Sequence, residues 1–165
     1  MNVSQVVFIV LGLVTLAGAA GVVLNRNLFR SALFLVLSFV GVAGLYILLE
    51  VEFLAMIQLL VYVGAISILI IFAVMLSRNM MSPDFKARNQ DWGLGVFVAG
   101  GLLAVLVIIL LRVRWPVAES TVPSGMIGQL GEALVSPTGF ALPFEVASIL
   151  LLVALVGAVI IAREK

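Results

Sequence analysis

Five stretches of this chain run for 17 residues or more without a single Asp, Glu, Lys, Arg or Pro: Val3 to Leu24, Ser31 to Leu49, Phe53 to Leu76, Gly93 to Leu111 and Val146 to Ala162. A helix crosses a hydrocarbon core of roughly 30 Å with about 20 apolar residues. Each stretch is therefore read as a transmembrane helix, because in lipid only a helix or a closed barrel satisfies its own backbone. The apolar share of the chain is 64%, against roughly 45 to 50% in soluble domains. A fold in water could not bury that much apolar surface. The expectation is an all-α, polytopic membrane protein, a single membrane domain over residues 1–165, with spans at about 3–24, 31–49, 53–76, 93–111 and 146–162 and an outer loop at 112–144.

Composition also removes whole classes of chemistry. The chain has no His and no Cys, so haem ligation through imidazole, thiolate clusters, cysteine nucleophiles, disulfides and the usual zinc sites are excluded. The formal net charge is +1 and the charges lie in short connecting segments, so no basic face exists for nucleic acid. No metal or cofactor site is expected.

The first span is read as a retained helix, since no Lys or Arg precedes it and its apolar run exceeds the 7 to 15 residues of a signal peptide core. Seven of the nine basic residues fall on one side of the array: Arg26, Arg30, Arg78, Lys86, Arg88, Arg163 and Lys165. Arg112 and Arg114 fall on the other. The positive-inside rule then predicts the N-terminus outside and the C-terminus cytoplasmic. The very short Glu50-Val51-Glu52 connection makes helices two and three antiparallel neighbours. Within the long outer stretch a short surface helix is expected over Ser124 to Leu134, and Trp92 and Trp115 bracket the fourth span as headgroup anchors. Small residues recur at four-residue spacing in Ala17 and Gly21, in Gly100 and Ala104, and in Ala154, Ala158 and Ala162. Such stripes let helices approach closely in lipid. No internal repeat of the kind secondary transporters carry is apparent.

Ionisable residues inside a membrane are functional candidates by default, and the five spans contain none. A self-contained pump would bury at least one. The boundary carboxylates are Glu50, Glu52 and Glu145. The first two form either a solvated turn or a group that takes up protons on the outer side. Glu145, following Pro143, suits the positive end of a helix dipole, or forms a salt bridge with a partner. The third span is the least lipid-like: Gln58 and Tyr62, four apart, share a face, and Gly64 and Ala65 follow. They are either interhelical hydrogen-bonding groups or a polar seam on a water path in a partner subunit.

The run from Phe53 to Ile66, FLAMIQLLVYVGAI, continued by Phe72-Ala73-Val74-Met75-Leu76, resembles the third helix of the subunit J family of bacterial proton-pumping NADH:quinone oxidoreductase, respiratory complex I. The mitochondrial counterpart is NADH dehydrogenase subunit six. Leu142-Pro143-Phe144-Glu145 and the helix that follows resemble the same family. The resemblance implies a membrane-arm subunit beside neighbours similar to subunits A, K, H and N, in the bacterial plasma membrane or an internal photosynthetic one. It implies no cofactor in this chain, with quinone, FMN and iron–sulfur clusters handled by other subunits. It also implies that the third helix holds a π-bulge around Tyr62, Val63, Gly64 and Ala65 that rearranges during turnover and gates a water wire. Gly64 is the expected hinge, and Tyr62 and Gln58 the expected donors to the freed backbone. A stand-alone channel or transporter, or a structural spacer, is the competing reading.

Overall fold

A computed structural model describes residues 2–77, 92–113 and 125–163. The basic residues Arg78, Lys86, Arg88, Arg114 and Lys165, together with Trp115 and Ser124, lie outside the described residues. The described residues form six helices: α1 (Val3–Leu24), α2 (Leu28–Leu48), α3 (Glu52–Leu76), α4 (Trp92–Arg112), α5 (Met126–Val135) and α6 (Ala141–Ala162). All but α5 are long and apolar enough to cross a membrane, and no strand occurs among the described residues.

Helix ends follow local capping more than hydropathy. Helix α2 starts ahead of its apolar run because the Asn27 side chain accepts from the backbone N–H groups of Phe29 and Arg30 at 3.0 and 3.2 Å. Those are two of the four donors that a helix start leaves unpaired. Arg30 is thereby drawn into the first turn of the helix. The other end of α2 closes in a Schellman turn, in which Val51 N–H donates to Tyr46 O and Glu50 N–H to Ile47 O, both at 3.0 Å. This turn delivers the chain directly into α3.

The chain divides into two compact units, Met1–Glu119 and Ser120–Lys165. In the first, α2 packs between α1 and α3. The α1–α2 contact is close enough that its glycines have no room for a side chain. A Cβ on Gly18 would lie 2.8 Å from Ser38 N, one on Gly21 would lie 2.5 Å from the Phe34 ring, and one on Gly41 would overlap the Thr15 hydroxyl. The Ser38 hydroxyl donates to Thr15 O at 3.1 Å across the same contact. This is the packing expected in lipid, where close backbone approach and interhelical hydrogen bonds replace the hydrophobic effect.

Only part of the small-residue pattern marks this contact. Gly21 belongs to it, whereas Ala17 points outward and Gly18 takes its place. All described residues of α4 are exposed, and Gly100 has no neighbour within 4 Å. In the second unit, α5 packs on α6 through a tight corner in which Phe140 N–H donates to Ala133 O at 2.8 Å. Nothing larger than Gly139 fits there, because a Cβ would overlap that same carbonyl.

Candidate functional site

Helix α3 is not uniform. It is α-helical over Glu52–Ile57, widens into a π-helix over Gln58–Ile66, and returns to α over Ser67–Leu76. A π segment of nine residues is long for a form that mostly appears as a single-turn bulge and frequently at functional sites. It contains all five of the predicted helix-three residues: Gln58, Tyr62, Val63, Gly64 and Ala65.

Two of them reach α2 at the same place. Gln58 is buried, and its amide nitrogen lies 3.5 Å from Phe39 O, at the long end of a hydrogen bond. The Tyr62 ring meets the Phe39 ring edge-on, with centroids 5.5 Å apart and planes at 76°, a preferred arrangement for aromatic pairs. The shared face predicted from their spacing is thus the face toward α2. Tyr62 remains 42% exposed, so part of the ring also lies on the outer surface of the chain. Val63 is half-buried and Ala65 exposed.

Gly64 is not held by packing. A Cβ there would meet only Leu59 O, at 3.4 Å, which is ordinary contact within the same helix. The absence of a side chain is therefore not required by any neighbour in this conformation, unlike at Gly18 or Gly41.

The backbone donor differs from expectation. Neither Gln58 nor Tyr62 supplies it. The Ser67 hydroxyl donates to Tyr62 O at 2.7 Å, and the Ser67 N–H reaches both Tyr62 O and Gly64 O. Gln58 is turned to α2 and the Tyr62 ring to Phe39, which takes both side chains away from their own helix backbone. Ser67 could have been found as the polar residue five positions after Tyr62, in a span whose other polar side chains are Gln58 and Tyr62.

The boundary carboxylates lie apart from this segment in sequence and are all exposed. Glu50 occupies the left-handed position of the α2–α3 turn at φ +59°, and Glu52 opens α3. Glu145 departs from expectation. Helix α6 begins at Ala141, with Phe144 N–H already donating to Phe140 O at 3.0 Å. Pro143 falls in the first turn, where its missing N–H leaves no bond unmade. Glu145 is therefore the fifth residue, past the first turn to which the dipole's effect is confined. Helix capping no longer accounts for it.

The family described as NADH-ubiquinone/plastoquinone oxidoreductase chain 6 matches residues 18–161. NAD(P)H-quinone oxidoreductase chain 6 of Leptolyngbya boryana is 39% identical over 166 residues, covering 99% of this chain and 82% of that protein. The chain 6 protein of a Nostoc species is 41% identical over 169 residues, covering 99% and 81%. The chloroplastic subunit 6 of Anthoceros angustus is 40% identical over 172 residues, covering 96% and 82%.

Proposed function

Since the chain belongs to the NADH-ubiquinone/plastoquinone oxidoreductase chain 6 family, and so is a membrane subunit of a quinone oxidoreductase complex of the complex I type, we propose that it couples quinone reduction to proton translocation through the π segment of α3. The observation that carries this reading is that segment itself. A nine-residue stretch in a minority helical form sits in a helix that has no Asp, Glu, Lys, Arg or His between Phe53 and Leu76, so the movable element available to this chain is backbone rather than a charged side chain. A register change there alters which backbone carbonyls are paired, and in a membrane an unpaired carbonyl must find a side chain or water. Gln58, Tyr62, Val63, Gly64 and Ala65 are the residues that carry it. The Tyr62 ring, shared between Phe39 and the outer surface, is the part best placed to report the change to a partner.

No redox step is assigned to this chain. Without Cys it has no thiolate to hold an iron–sulfur cluster and without His no imidazole for haem, so iron–sulfur chemistry is assigned to other subunits, and, on the family resemblance, quinone and FMN are assigned there too. We assign the exposed apolar surfaces of α4 and α6 to neighbours resembling subunits A, K, H and N and to lipid. The orientation follows from loop charge, N-terminus outside and C-terminus cytoplasmic. Two settings fit: the bacterial plasma membrane, and an internal photosynthetic membrane, which the cyanobacterial and chloroplast relatives favour. Glu145, exposed near one end of its span, is assigned to a salt bridge with a neighbouring subunit.

The competing reading, a structural spacer, is separated by Tyr62→Phe in the intact complex. We expect normal subunit content with mildly slowed quinone-coupled pumping. A defect confined to assembly, or none at all, contradicts the proposal.

A further inference from the structure

The π segment is bracketed by two buried polar side chains. Gln58, its first residue, is 6% exposed, and Ser67, the residue directly after its last, is 2% exposed. The two are not equal as fasteners. The contact from Gln58 to Phe39 O is 3.5 Å long, whereas the Ser67 hydroxyl donates to Tyr62 O at 2.7 Å.

The Ser67 bond spans the five-residue interval that defines the π form. The Ser67 N–H likewise divides between Tyr62 O, five back, and Gly64 O, three back. An α-helix would instead pair that N–H with the carbonyl four back, at Val63. One residue therefore directs both of its donors to the carbonyl that an α register would assign elsewhere. If this stretch wound as α, the hydroxyl would have to leave Tyr62 O or bond four residues back, a pattern that slightly destabilises and bends α-helices. Ser67 is too buried for water to take over the lost bond, so the α register carries the cost either of an unmet donor or of that poorer bond.

From this we propose that Ser67 is a positioning residue that biases α3 toward its π register by holding Tyr62 O with its hydroxyl. It acts through the backbone and touches no reacting group. The inference rests on the coupling reading for its consequence in turnover, but not for its effect on register. Loss of one hydrogen bond of ordinary net strength shifts a two-state ratio about fivefold.

The test uses the whole complex, with α3 resolved by electron cryo-microscopy and quinone reductase activity measured on the same preparation. Ser67→Ala is expected to lower the ratio of π to α over residues 58–66 by about fivefold. It is also expected to change kcat with KM for quinone unchanged, and Ser67→Thr, which keeps the hydroxyl, is expected to restore both. Should Ser67→Ala fail to assemble, Ser67→Thr against Ser67→Val compares the same shape with and without the hydroxyl, and the same shift is expected between them. An unchanged π population on loss of the hydroxyl overturns the inference. A shifted population with unchanged kcat upholds Ser67 as the positioning residue and overturns the coupling reading instead.

Discussion

Glu50 sits in the left-handed region at φ +59°, in the position of a Schellman turn that glycine usually fills. An L-residue there carries a cost of about 1 kcal/mol. Glu50→Gly should relieve that strain without touching either hydrogen bond of the turn, since both are made by backbone. Assembled complex is expected at wild-type level or above, with turnover unchanged, because the carboxylate is exposed and both bonds of the turn are backbone ones. A loss of quinone reductase activity at normal subunit content would show instead that the carboxylate takes up protons. Ser67 and Glu145 show what single-residue reasoning misses. The chemistry of Ser67 was legible as a polar group in an apolar span. Its partner was not, because the register that brings Tyr62 O to it is a property of the folded helix. Glu145 read as a helix-start residue only while the helix was placed by its apolar run, and the earlier start at Ala141 moved it out of reach of the dipole.

At the level of elements, the spans were legible because length and the absence of charge suffice to demand a helix in lipid. Their ends were less so, since Asn27 and the Ser136–Phe140 corner decide them through bonds that no hydropathy pattern records. The α1–α2 contact was half visible. Gly21 stood in a four-residue stripe, but Gly18 and Gly41, which press on Ser38 and Thr15, did not belong to the stripes the spacing singled out. Gly18→Val should force α1 away from α2, because the nearest atoms are the backbone of Ser38 and cannot rotate aside. Overpacking of this kind costs about 1 to 3 kcal/mol, and separation also breaks the bond from Ser38 to Thr15. Immunoblotting of membranes should find the subunit depleted. Wild-type content with wild-type heat stability would mean that the contact is looser than it is here.

For the whole molecule, most apolar side chains face outward, including every described residue of α4 and nearly all of α6. A chain with so little interior of its own is built to be enclosed by lipid and other subunits, which is what membership in the chain 6 family entails. Orientation is a whole-chain property and rests on the distribution of its nine basic residues. Because the native chain has no Cys, Arg88→Cys introduces a unique thiol in this subunit, and an impermeant maleimide should label it only from the cytoplasmic side. Labelling from outside would invert the topology.

Whether α3 changes register during turnover is decided at Gly64. Its missing side chain serves no packing need in the present conformation, a Cβ meeting only Leu59 O at 3.4 Å. We propose that the need lies in the freedom to move, since glycine has the widest backbone range, whereas the neighbours Val63 and Ile66 are stiff at their first torsion. Gly64→Val should therefore leave subunit content near normal and slow proton-coupled turnover, by more than Tyr62→Phe does. Proton pumping and quinone reductase activity, measured together in membranes of equal subunit content, decide it. Both are expected to fall; if both stay at the wild-type rate, α3 is a packing element and the coupling role fails.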